Sequence, residues 1–178
     1  VLTKTVVDTV AVTKPKVKVP VAFYAMVTSS FHSNGPSFGV MFAVMRRHGM
    51  FVHARSDMRS VGETRLECNK DGYIGSSSIK PYYTGDVRRS NYAITAGLIH
   101  RLWRNVCIFE GAGYGRTATA WKLAESEGGG YALNKGLTHA GVAGELGVVV
   151  AFGRLSVMAS ASTIAGKQWH GNIGIGIR

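Results

Sequence analysis

Residues 106–121 read VCIFEGAGYGRTATAW, with Gly111, Gly113 and Gly115 at every second position. A phosphate-binding loop uses close glycines at a strand-to-helix turn, where the helix N-terminus receives the anion. Here they are followed by Thr117-Ala118-Thr119-Ala120-Trp121, which is strand-like, so the required helix is missing. The other use is a strand with one face cleared of side chains. With a period of two, Gly111, Gly113 and Gly115 share a face with Phe109 and Thr117. Such a stripe makes space inside a narrow barrel for bulky neighbours such as Arg55 or Arg101.

The same period recurs along the chain. Phe38, Val40, Phe42 and Val44 alternate with Gly39, Met41, Ala43 and Met45. Val142, Leu146, Val148 and Phe152 oppose His139, Gly141, Ala143, Glu145 and Gly147, and Ile173, Ile175 and Ile177 oppose Asn172, Gly174 and Gly176. Eight runs follow this rule, over 19–32, 36–46, 50–58, 89–103, 106–122, 137–153, 155–164 and 170–178. Tight turns at Arg47-His48-Gly49, Arg104-Asn105 and Gly153-Arg154 alternate with longer links, of which 59–88 and 125–136 are the largest. The spacing predicts an all-β fold: an eight-stranded antiparallel up-and-down barrel, short turns at one end and long loops at the other.

The non-apolar face decides the surroundings. A solvated face should be rich in Lys, Glu, Asp and Gln, yet this one is mostly Gly, Ala, Ser and Met. Small residues suit the crowded lumen of an eight-stranded barrel, with the apolar face turned to lipid. A transmembrane β-barrel is therefore expected over 19–178, preceded by a basic extended arm, 1–18. No apolar run is long enough for a spanning helix. The chain starts at Val1 without a visible export signal and reads as a mature or trimmed product.

The inward phase holds Arg55, Asp57, Arg101, Glu145, His53 and His139. A buried charge needs a partner, so these six are expected to form a lumen network around an Arg55–Glu145 or Arg101–Glu145 pair. Aromatic girdles at the two interfaces are expected from Phe51, Trp103 and Phe152 beside the short turns, and from Phe31, Tyr92, Trp121 and Trp169 beside the loops. Glu110 falls on the lipid-facing phase, which points to a strand bulge or a protein partner.

The net charge of +11 and a pI near 10.0 favour anionic partners. Basic residues of the longest loop (Arg59, Arg65, Lys70, Lys80, Arg88, Arg89) are mixed with Glu63, Glu67, Asp71 and Asp86. They read as a solvated loop or as a contact for lipopolysaccharide phosphates. Scattered cations without a stacking surface argue against nucleic acid. Cys68 and Cys107 match no redox or metal motif and fall at opposite ends of the fold. The histidines, His32, His48, His53, His100, His139 and His170, lack metal-ligand spacing, and no metal or cofactor is expected. Ser29, Ser30 and His32 cluster at a strand end, without a third catalytic member.

The stretches SFGVMFAVMRRHGMFVHARSDM, LECNKDGYI, SNYAITAGLIHRLWRNVCIFEGAGYGRTATAW and GNIGIGIR resemble a group of small outer-membrane β-barrel proteins of Bacteroidetes, similar in architecture to barrels of the OmpA and OmpX type. The resemblance covers most of 19–178. It departs from that group at Glu110 and at Arg178, where an aromatic often stands. It implies a fold and an outer-membrane location, with the short turns periplasmic and the loops extracellular. It implies no reaction. The expected role is non-enzymatic, a structural element or accessory subunit of an envelope assembly in contact with outer-membrane lipid, lipopolysaccharide and a protein partner. The rivals are a lipid-modifying barrel enzyme using the Ser29/Ser30/His32 rim and a soluble ligand-binding barrel.

Overall fold

The computed structural model of the protein describes residues 20–32, 35–74 and 83–178. The arm 1–18 and the loop residue Lys80 lie outside them. Ten strands form in chain order: β1 (Ala22–His32), β2 (Gly35–Met45), β3 (His48–Ser56), β4 (Thr64–Cys68), β5 (Tyr83–Arg101), β6 (Val106–Leu123), β7 (Tyr131–Asn134), β8 (His139–Phe152), β9 (Leu155–Ile164) and β10 (Gln168–Ile177). Eight of them, β1, β2, β3, β5, β6, β8, β9 and β10, pair antiparallel with their neighbours, and β1 pairs with β10 to close the cylinder.

The sequence alternation is the burial alternation. Val142 is 70% exposed and Leu146 62%, whereas Glu145 between them is 5% exposed. Phe23, Phe38, Phe42, Val52, Ile94, Leu98, Ile173 and Ile175 also stand on the outside, while Met41, Met45, Ile99 and Phe109 are buried within. An exterior this apolar is suited to hydrocarbon, because in water it would expose a continuous greasy belt.

The glycine stripe does make room, but not for arginines. A Cβ on Gly111 would stand 2.7 Å from Phe51 Cζ, and one on Gly115 2.8 Å from Ile164 Cγ1. The occupants are thus Phe51 and Ile164, whose side chains reach over Gly111 and Gly115. Arg55 finds its space elsewhere, beside Gly39, where a Cβ would meet the Arg55 Cβ at 2.9 Å. Glycine also serves the β9–β10 turn, where Ala165 (φ 52°) and Gly166 (φ +66°) are both left-handed. They are the central residues of a turn closed by the Lys167 N–H donating to Ile164 O at 3.0 Å, and two positive φ values there match the right-handed twist of the flanking strands.

The two long links are not wholly irregular. β4 lies in the first and β7 in the second. They pair parallel with each other, and β7 pairs antiparallel with β6 at Ala120–Lys122. β6 can accept this extra strand because it outruns its barrel neighbour β8, whose pairing stops at Thr117–His139. Cys68, Leu123 and Ala132 form a small buried cluster there. The two cysteines are free and buried at opposite ends of the fold.

Gly147 gives a direct test, since its Cβ would come within 2.5 Å of both Phe109 Cζ and Ser160 Cβ. Gly147→Val is expected to destabilise the barrel by about 1–3 kcal/mol. Gly153→Asn, at an exposed turn, should change it by less than about 0.5 kcal/mol. Urea unfolding in lipid vesicles measures both.

Candidate functional site: the barrel lumen and its two rims

The interior is divided in two. The half toward the short turns is a dry plug that includes Tyr24, Met26, Met41, Met45, Phe51, Ile99, Phe109 and Met158. The Phe51 and Phe109 rings meet edge-to-face at 4.9 Å. The sulfurs of Cys107 and Met45 are 3.6 Å apart. Inward large residues of β1, β2, β3, β5, β6 and β9 supply the plug, with the glycines giving clearance. Phe51 was expected in an aromatic girdle. It belongs to the plug because its phase on β3 is that of His53 and Arg55, and phase outranks nearness to a turn.

The half toward the loops is polar and centred on Glu145 of β8. Its carboxylate accepts hydrogen bonds from Thr95 Oγ1 (2.6 Å), Ser160 Oγ (2.7 Å) and His53 Nδ1 (2.9 Å). Arg55 Nη1 approaches it at 3.8 Å. The far side of the His53 ring is fixed by Thr28, with Nε2 2.9 Å from Oγ1. Asn172 donates to Ser160 Oγ (2.8 Å) and Ser162 Oγ (3.1 Å), and accepts from Arg55 Nη1 at 3.5 Å. The carboxylate is thus desolvated and compensated by hydroxyls, an imidazole and a guanidinium.

Above this hub lies a second polar layer. His170 is buried with its ring 4.6 Å from His32. Gln168 lies 3.3 Å from His32 Nδ1 and accepts from Thr117, and Asn91 donates to Thr117 at 3.1 Å. Among the described residues, Arg55 Nε and Nη2 and both His170 nitrogens are buried without a hydrogen-bond partner. This hydrogen-bonding capacity is the kind that internal water satisfies.

Of the six charges expected in the lumen network, the structure brings three together, His53, Arg55 and Glu145. Asp57 lies past the end of β3, half-buried, accepting from the Arg59 amide at 3.0 Å. Arg101 stands at the turn end, on the rung of Cys107, whereas Glu145 is on the rung of Gly111. Arg55 therefore takes the pairing role. His139 opens β8 at the loop end, half-buried. The residues that complete the hub, Thr28, Thr95, Ser160 and Asn172, were not singled out in the sequence. Of these, Asn172 alone was placed on the inward phase, opposite Ile173.

Around the outside, Trp103, Phe152, Phe31, Tyr92 and Trp169 are exposed. Trp121 instead packs against the Cys68–Leu123 cluster under β7. Glu110 points outward between Leu98 and Leu146, in regular pairing with no bulge. Ser29 and Ser30 face opposite ways, and among the described residues the buried Ser30 Oγ has no hydrogen-bond partner. Among the described residues no cluster of His, Cys, Asp and Glu could hold a metal ion.

A closed cylinder with a greasy exterior and a small-residue, charge-paired interior defines a transmembrane β-barrel of the outer-membrane type. In solved structures the chain is similar to Ail, the attachment invasion locus protein of Yersinia pestis, with a TM-score of 0.53 and 12% identity over 88% of this chain and 95% of that one. Ail in complex with the heparin analogue sucrose octasulfate aligns with the same values. Neisserial surface protein A aligns more loosely, at TM-score 0.38 and 14% identity over 89% and 97% of the two chains. No protein-family model matches the chain, and no curated protein sequence does.

Two outcomes are expected. Glu145→Ala strands Arg55 in the lumen and should cost about 3–5 kcal/mol in denaturant unfolding. In planar bilayers the protein should show no stable openings, because the Phe51–Phe109 plug blocks the turn-side half of the lumen.

Proposed function

We propose that the protein is a non-catalytic integral barrel of the bacterial outer membrane that serves as an accessory subunit of a larger envelope assembly. The observation that carries this reading is Glu110. It is an exposed carboxylate in the apolar belt, flanked in register by Leu98 and Leu146. A carboxylate is unfavourable there unless a neighbour supplies a donor or a cation. The next rung of the outer face is Ala96, Ala112 and Gly144, three small residues side by side. Small residues let a second backbone approach closely in a membrane. The partner is then a transmembrane element carrying a basic or hydrogen-bonding side chain at the depth of Glu110.

The filled lumen supports a role that transports nothing, and the unassembled Ser29, Ser30 and His32 support one without acyl transfer. The Bacteroidetes origin implied by the sequence resemblance, and the orientation with short turns in the periplasm, belong to the same proposal. At the loop rim, contact with lipopolysaccharide phosphates gains support from the polyanion bound in the Ail complex. Two loop cations are nevertheless already paired, Lys122 with Asp86 at 3.4 Å and Lys135 with Glu67 at 2.5 Å.

Membrane fractionation followed by a mild-detergent pull-down tests the reading. The protein should sediment with outer membranes and co-purify with a stoichiometric membrane partner. Glu110→Leu should release that partner while the barrel stays folded. A barrel that runs alone under gentle extraction overturns the proposal.

A further inference from the structure

The outer face of β10, β1, β2 and β3 carries an apolar groove of about 520 Å³ near the short turns. Its floor is Ala25, which the register sets between Phe42 on β2 and Ile177 on β10. Phe23, Met50 and Val52 complete the walls. A methyl among such large side chains leaves an apolar recess, open to the bilayer on one side.

The chemistry changes at the turn end of this recess. Phe23, Val44 and Met50 lie on one rung of the outer face. Continuing the same register by one outward step brings Arg46 beside His48, and His48 is paired in turn with His100. The two imidazoles touch, Nδ1 to Nδ1 at 2.8 Å, and are exposed. Arg178 borders the groove on the other flank, with its guanidinium over the buried Tyr24 ring at 5.9 Å.

Six of the twelve arginines stand at this rim: Arg46, Arg47, Arg101, Arg104, Arg154 and Arg178. Backbone hydrogen bonds tie four of them in pairs, Arg101 N to Arg47 O at 2.9 Å and Arg178 N to Arg154 O at 2.8 Å. None of the salt bridges among the described residues involves them. Among the described residues the nearest side-chain carboxylate by register is Glu110, three strands from Arg46, or about 14 Å around the wall.

We propose that this face is a binding site for an anionic phospholipid. One acyl chain lies in the groove over Ala25, and the phosphate is held by Arg46 and His48. Guanidinium binds phosphate through paired N–H donors. Among the described residues the rim carries six arginines and no side-chain carboxylate to pair with an ammonium headgroup, so phosphatidylglycerol is favoured over phosphatidylethanolamine. The groove selects a chain-bearing phosphate over a free one. This site goes beyond the subunit reading and is independent of Glu110. A failed pull-down leaves it standing, and its failure leaves the pull-down unaffected.

Native mass spectrometry of the detergent-purified barrel, titrated with phosphatidylglycerol or phosphatidylethanolamine of identical chains, tests it. Phosphatidylglycerol should be retained about fivefold better per engaged arginine. Arg46→Gln with His48→Asn should bring it down to the level of phosphatidylethanolamine. Ala25→Leu, which fills the floor, should lower retention of both lipids. On the unaltered protein, 1 M salt (a roughly 3 Å screening length) should erase the preference, and inorganic phosphate at millimolar concentration should not displace the lipid. Equal retention of the two lipids, a preference that survives high salt or the double substitution, or displacement by inorganic phosphate overturns the proposal.

Discussion

Backbone hydrogen bonding in a medium without water governs this molecule. Every N–H and C=O that crosses hydrocarbon needs a partner from the chain itself, and a sheet meets that need only by closing. Here closure is the pairing of β1 with β10, residues such as Ala25 and Ile177 that stand at opposite ends of the barrel sequence. Once eight strands close, the lumen is fixed at a width that admits side chains and little else. The inside must then be filled by residues whose sizes are traded across facing strands. That explains Gly111 under Phe51, Gly147 under Phe109 and Gly39 under Arg55.

The filling is graded along the axis. Toward the turns it resembles the core of a soluble protein, with interlocked aromatics, methionines and Ile99. Toward the loops it is a polar lattice anchored on one buried carboxylate. Replacing Glu145 and its partners by apolar residues could preserve stability, as buried ion pairs often allow. What the lattice adds is geometry, because it ties β1, β3, β5, β8, β9 and β10 through side chains as well as through the wall. The plug and the lattice together make the lumen a structural element.

The wall was readable in the sequence because period two is written into every spanning strand, and lipid demands that one phase be apolar. The same logic separated Val142 and Leu146 from Glu145. Depth was harder to read. Arg55 and Arg101 share the inward phase, and only the stagger between β3, β5, β6 and β8 decides which one reaches Glu145. Phe51 shows the reverse error, in which closeness to a turn was weighed above phase. The β4–β7 pairing left no trace, since five and four residues in mixed-composition links are too short for periodicity, and their partners are distant in the chain. Glu110 was legible as an anomaly because it broke the pattern in a strand that otherwise kept it.

β5 and β6 span 19 and 18 residues, roughly 60 Å of strand, about twice what a tilted crossing needs. The surplus continues the wall beyond the bilayer as a ladder buttressed by β7 and β4. A push at its tip is therefore not absorbed by a slack tether. It travels down a stiff lever into the cylinder itself, so whatever grips that mast also holds the wall from which it rises.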